Sequence, residues 1–159
     1  MATENNNLSD YNLEDIPNSE GMRFAIIVSE WNNHITDNLY EGAEQALLNC
    51  GVKQNDIVRI DVPGSFELIY GAKIASRYNY DAIICLGSVI KGETDHFHYV
   101  CNAVSLGIKD LNLNLDLPVV FGVLTDNTEE QAINRSGGKY GNKGVESAIT
   151  AIKMAHLNK

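Results

Sequence analysis

Apolar residues in this chain fall into short blocks separated by stretches of helical spacing. Residues 23–29 and 82–86 have the length and composition of buried strands, and 57–62 and 119–124 read as the second and fourth strands. After the first block, Leu39, Ala43, Ala46, Leu47 and Cys50 recur at helical spacing, with Thr36 or Asp37 able to cap that helix and Gly51 to stop it. After the second, Pro63-Gly64 breaks the strand, and Ser65 is set to cap a helix carrying Phe66, Ile69, Tyr70 and Ile74. After the third comes a Gly-containing loop, then a helix with Phe97, Val100, Cys101, Val104 and Ile108 on its apolar face. Residues 111–117 read as a polar-interrupted connection. Following the fourth, Thr128-Glu129-Glu130-Gln131 fits a capping box that opens a short helix ending near Arg135. Residues 136–144 read as a flexible glycine-rich turn, and Val145, Ala148, Ile149, Ile152 and Ala155 mark one face of a last helix.

Strands alternating with helices imply parallel pairing through right-handed crossovers. The expected fold is α/β: a flavodoxin-like three-layer sandwich, with a four-stranded parallel sheet and helices on both faces. Ligands in such sheets bind outside the carboxyl ends of the strands. That rule gathers Trp31-Asn32, Ser65-Phe66-Glu67, residues 87–96 and residues 121–126 at one edge. The domain occupies 22–159. Residues 1–21, rich in Asn, Asp, Glu and Ser, are expected to form a mobile acidic tail, whose Leu8, Tyr11, Leu13 and Ile16 could dock on a neighbouring subunit.

Charge narrows the partners. The 159 residues carry a formal charge of −9, which argues against nucleic acid, whose phosphates reward clustered Lys and Arg. No apolar run is long enough to span a bilayer, so no membrane is expected. The first residues lack the basic and apolar regions of a secretory signal. The three cysteines, Cys50, Cys85 and Cys101, have no metal-like spacing and read as buried reduced thiols. Together these point to a cytoplasmic protein without a metal.

The chemistry concentrates between residues 87 and 101, GSVIKGETDHFHYVC. A strand, a Gly-containing loop and a new helix N-terminus form a natural anion seat. Histidine exchanges protons near neutral pH, so His96 beside that seat is the candidate proton carrier. Glu93 and Thr94 lie in the seat itself. Arg135 could clamp a phosphate with its forked donors, or simply favour a helix C-terminus; the residues leave both readings open. Trp31, the sole Trp, sits in an Asn-rich loop, which suits stacking on a flat heterocycle as well as core packing. Ser65, Phe66 and Glu67 offer amides, a hydroxyl and a carboxylate for a sugar-like ligand, although capping explains Ser65 equally well. Lys143 is followed by Gly144, so the glycine-rich turn fails the phosphate-loop pattern of nucleotide hydrolases.

Five segments in order, SEWNNHIT (29–36), VPGSFEL (62–68), GSVIKGETDHFHYV (87–100), PVVFGVLT (118–125) and RSGGKYGNKG (135–144), resemble the 6,7-dimethyl-8-ribityllumazine synthase family. The resemblance runs from about Met22 to the C-terminus. It departs modestly at Trp31, where an aromatic, often Phe, is usual, and at Leu68-Ile69, where Ile-Pro is common. It implies condensation of 5-amino-6-(D-ribitylamino)uracil with 3,4-dihydroxy-2-butanone 4-phosphate, with no cofactor. Trp31 and Asn32, the turn Ser65-Phe66-Glu67, the segment Ser88-Val89-Ile90, and Phe121 would then bind the uracil and its ribityl chain. Glu93, Thr94 and Arg135 would bind phosphate, and His96 would carry protons. A homo-pentamer with sites shared between neighbours is implied, and the 138–142 turn looks like that of members closing into sixty-subunit shells. Alternatives of other classes are a non-catalytic flavin- or lumazine-binding protein and a purely shell-forming one.

Overall fold

A computed structural model describes residues 7–157. Its main sheet has four parallel strands in the order β2-β1-β3-β4, with β1 Phe24–Ser29, β2 Ile57–Val62, β3 Ala82–Ile90 and β4 Val119–Asp126. Helices α1 (Asn33–Asn49), α4 (Glu129–Arg135) and α5 (Lys143–Leu157) cover one face, and α2 (Leu68–Ala75) and α3 (His96–Asn114) cover the other. Alternation along the strands divides the core. Phe24, Ile26, Val28, Ile84 and Leu86 pack toward α1 and α5, while Ala25, Ile27, Ile83 and Cys85 pack toward α2 and α3. The three-layer parallel expectation holds.

Several boundaries differ from those expected. Helix α1 begins at Asn33 rather than after Thr36, because Thr36 Oγ1 donates to the Ser29 carbonyl at 2.6 Å instead of capping. Strand β3 continues through Ile90, since residues 87–90 find partners in 123–126 of β4. Helix α3 runs on to Asn114, into the expected connection. Helix α2 begins only at Leu68 and buries Leu68, Gly71, Ala72 and Ala75, not the face expected; Tyr70 on it and Phe66 before it are exposed. The capping box forms with a one-residue offset: Thr128 Oγ1 accepts from the Gln131 amide at 3.3 Å, and Gln131 Oε1 accepts from the Asn127 amide at 2.9 Å.

The glycine-rich turn is a hairpin, with β5 Ser136–Gly138 antiparallel to β6 Gly141–Asn142. The near end of the segment expected as a tail lies against it. The Leu8 amide donates to the Tyr140 carbonyl at 2.8 Å, Ser9 Oγ accepts from the Asn142 amide at 2.9 Å, and Tyr11 and Ile16 pack on the α1/α5 core of the same chain. Residues 1–6 of that segment lie outside the described residues. Cys85 is fully buried, which pushes its thiol up to about 12, while Cys50 and Cys101 are half-buried; all three are free. No described helix is long and apolar enough to cross a membrane.

Candidate active site

The carboxyl ends of β1, β2 and β3 gather the first group of predicted residues. The chain leaving β1 is tied to the end of β2 by the Glu30 amide on the Val62 carbonyl (2.8 Å) and the Trp31 amide on the Pro63 carbonyl (3.2 Å). Asn32 takes the left-handed conformation, φ 59°, and its Nδ2 donates to the Ser88 carbonyl at 3.1 Å. These bonds hold a short loop that presents Trp31 to solvent, 71% exposed, so the indole is not a core residue.

Beside it, Ser65 is buried and its Oγ sits 2.6 Å from where a Cβ on Gly87 would be. The missing side chain of Gly87 therefore lets the 65–67 turn press on β3. Phe66 projects outward at 54% exposure, and Glu67 occupies the N-cap position of α2 without a capping side-chain bond. Ser88 is buried, Val89 and Ile90 are half-buried, and the loop after them leaves Glu93, Thr94 and His96 exposed. His96 is the first residue of α3, and its amide donates to Thr94 Oγ1 at 3.4 Å. Thr94 thus already satisfies one of the free donors of that helix start.

Phe121, on the edge strand β4, and Arg135, the last residue of α4, form a second group. Both line a groove of ≈ 1200 Å³ along β4, together with Thr125, Asp126, Asn127 and Lys143; Trp31, Ser65 and His96 do not line it. Arg135 is held from three sides. Its Nη1 donates to the Gln131 carbonyl at 3.1 Å and lies 3.6 Å from Asp126 Oδ1, and its guanidinium sits 5.1 Å from the Tyr140 ring centroid. One chain therefore carries a platform on β1–β3 and a separate guanidinium-bearing groove on β4.

Two polar atoms in this region are buried without a partner among the described residues, Ser88 Oγ and Asp126 Oδ2. Burial pushes the Asp126 carboxyl above the ordinary range, with Arg135 pulling the other way. Asp126 was not among the residues singled out from sequence, although an acid closing an apolar strand was the available signal. His34 Nε2 lies 2.7 Å from Glu129 Oε1 and ties the start of α1 to that of α4.

Comparisons with known proteins agree in one direction. The family model for 6,7-dimethyl-8-ribityllumazine synthase matches residues 21–159. Proteins of that name from Flavobacterium johnsoniae and Flavobacterium psychrophilum are 58% and 57% identical, each over 99% of this chain and over 83% and 84% of their own lengths. One from Christiangramia forsetii is 57% identical over all of this chain and 96% of its own. Identity at this level over nearly the whole chain, with the family model spanning residues 21–159, makes the chain a member of the 6,7-dimethyl-8-ribityllumazine synthase family.

Proposed function

We propose that this chain is the transferase that condenses 5-amino-6-(D-ribitylamino)uracil with 3,4-dihydroxy-2-butanone 4-phosphate. The products are 6,7-dimethyl-8-ribityllumazine, inorganic phosphate and water, in riboflavin biosynthesis. The observation that carries this reading is family membership over residues 21–159, nearly the whole chain. The relatives carry the enzyme's name, and nothing favours a non-catalytic binder or a bare shell. Three cysteines without disulfides suit a cytoplasmic location.

In this reading Trp31 stacks on the pyrimidine, and its exposure on a fixed loop supports that role. The ribityl hydroxyls take partners from the 65–67 turn and from residues 88–90, with Asn32 holding the strand end against the Trp loop. Phe121 contributes to the pocket. Phosphate sits between the 93–94 loop and Arg135, where the positive fork offsets the Glu93 carboxylate. The amine attacks the ketone, water leaves to give an imine, phosphate is eliminated, and the ribitylamino nitrogen closes the ring on the remaining carbonyl with loss of a second water. Each step moves protons, which His96 carries, and none requires a metal or redox cofactor.

The platform and groove are complementary halves, so one subunit's Arg135 serves the neighbour's His96 in a homo-pentamer. Twelve pentamers forming a sixty-subunit shell is the larger assembly we propose. Exposed apolar side chains on and beside α2 and α3 support burial between copies: Phe66 at 54%, Tyr70 at 66%, Tyr99 at 74% and Leu113 at 74%. Sedimentation should find multiples of five chains. Pentamers alone would remove the shell, and a fully active monomer would remove the shared site.

Incubating the protein with both substrates and following lumazine absorbance tests the activity directly. In that assay Arg135→Ala should raise KM for the phosphorylated substrate by roughly 10–100-fold, the size of a lost charge-assisted pair. KM for the aminouracil should stay put. A loss confined to the aminouracil would show that Arg135 is not the phosphate clamp.

A further inference from the structure

We propose that Asp126 is a positioning residue for Arg135: its buried carboxylate at the end of β4 aims the guanidinium that receives the phosphorylated substrate. This rests on reading Arg135 as the phosphate clamp.

Asp126 is an expensive residue where it stands. Its side chain is 8% exposed, and Oδ2 has no hydrogen-bond partner among the described residues. Oδ1 lies 3.6 Å from Arg135 Nη1, within ion-pair reach but too long for a direct hydrogen bond. A buried carboxylate satisfied this poorly is weak support for a fold, because desolvation offsets most of the attraction. Burial accordingly pushes its carboxyl pKa up even beside an arginine. The arrangement makes sense through its effect on Arg135. The Gln131 carbonyl accepts from Nη1 and the Tyr140 ring lies 5.1 Å from the guanidinium carbon, while Asp126 Oδ1 lies 3.6 Å from that same Nη1 and is the anionic group that draws it toward the end of β4. Asp126 is itself anchored, since its carbonyl accepts the Lys91 amide at 2.9 Å and its backbone pairs with Ile90.

The other charged groups facing this groove are Glu130 on α4, and Lys143 and Glu146 on α5, which pair with each other at 2.7 Å. Lys91 enters through its backbone from the loop after β3, and Tyr140 from the hairpin. Among them, Asp126 is the carboxylate paired with Arg135.

The test is steady-state kinetics of full-length Asp126→Asn with both substrates, across a series from about pH 5 to pH 8. At neutral pH, KM for the phosphorylated substrate should rise about tenfold, as for one charge-assisted contact. Turnover should stay within about twofold, and KM for the aminouracil should not change. Because burial shifts the Asp126 carboxyl upward and a protonated Asp126 resembles Asn, lowering the pH should move the ratio of variant to wild-type KM toward one and never away from it. Purely structural damage would raise both KM values at every pH, and that result would overturn the proposal. On an Arg135→Ala background Asp126→Asn should add nothing; a further loss there would also overturn it. If Arg135→Ala weakens the phosphorylated substrate while Asp126→Asn does not, the positioning role fails and the clamp stands. If Arg135→Ala itself has no effect, the clamp reading fails and takes this proposal with it. Asp126→Thr, short and polar but uncharged, carries the same expectations should the Asn variant fold poorly.

Discussion

Replacing His96 with Ala should lower kcat by about 10²–10⁴-fold, the range typical of a general acid–base group. KM for both substrates should move by less than about threefold, because the imidazole acts on protons in flight rather than on ground-state binding. The variant should fold normally. His96 opens α3 on an exposed position, its structural bond there is made by its backbone amide to Thr94, and Ala is the strongest helix former. A rate loss could therefore not be blamed on the scaffold. Catalysis should not vanish either, because holding an amine and a ketone in reacting geometry supplies much of the acceleration without any side-chain chemistry. His98 is the matching control. It is two residues along the same helix, and its ring packs edge-on against Phe97 with centroids 5.3 Å apart. His98→Ala should leave turnover near wild type. Stopped-flow or steady-state formation of lumazine checks both variants, and unchanged turnover in His96→Ala would remove the proton-carrier role.

What the sequence could and could not reveal follows from how each signal is made. Strands β1, β3 and β4 were visible because parallel strands buried on both faces are largely apolar along their length, whereas edge strand β2 alternates and turns Arg59 and Asp61 to solvent. Helix faces were less visible. Phe66, just before α2, and Tyr70 within it point outward, and the inward face of the helix is built from Leu68, Gly71, Ala72 and Ala75. Periodicity weights bulk, whereas a helix lying close on a sheet selects small residues; an exposed apolar face, as expected of one that meets another subunit, then outcompetes the true one. The same ambiguity affects α3, where only Val104 and Ile108 of its nineteen residues are fully buried. In sequence Gly87 looks like the start of a loop, but it is a strand residue kept bare by Ser65. A turn glycine and a close-approach glycine look alike until the partner segment is in place. For the site, exposed chemistry on loops, Trp31 and His96, was legible because polar neighbours advertise it. Asp126 was not, since its significance comes from a partner nine positions away and from burial that only tertiary packing creates. The near end of the expected tail was obscured for a similar reason: Leu8, Ser9 and Tyr11 gain their contacts only once the hairpin and α5 stand beside them.

The largest stability loss should come from Gly144→Ala. Gly144 is the second residue of α5, where a lone methyl is ordinarily favourable, by about 1 kcal/mol over Gly in an exposed helix. Here the sign reverses. A Cβ would lie 1.8 Å from the Leu39 carbonyl oxygen and 2.7 Å from the Leu39 carbonyl carbon, both backbone atoms of α1. No rotamer change can relieve a clash with backbone, so α1 and α5 would have to separate. They cannot do so locally. Gly144 donates its amide to Asn142 Oδ1 at 2.8 Å, and Asn142 Nδ2 donates to the Asn38 carbonyl at 2.8 Å, so the α1–α5 crossing is stitched through one buried asparagine. A Cβ on Gly42 would meet that same Asn142 side chain at 2.5 Å, which leaves the asparagine no room to retreat. Overpacking usually costs about 1–3 kcal/mol; a backbone-on-backbone clash should exceed that range. For a chain of this size 3 kcal/mol corresponds to a melting temperature lower by roughly 6–12 °C, with soluble yield falling in parallel. The hairpin that carries Tyr140 should loosen with it, weakening the hold on Arg135. Gly92 supplies the contrast: a Cβ there meets nothing within 4 Å, so Gly92→Ala should melt within about a degree or two of wild type. Differential scanning fluorimetry on the two variants decides the matter, and equal melting temperatures would mean that α1 and α5 are not packed backbone to backbone.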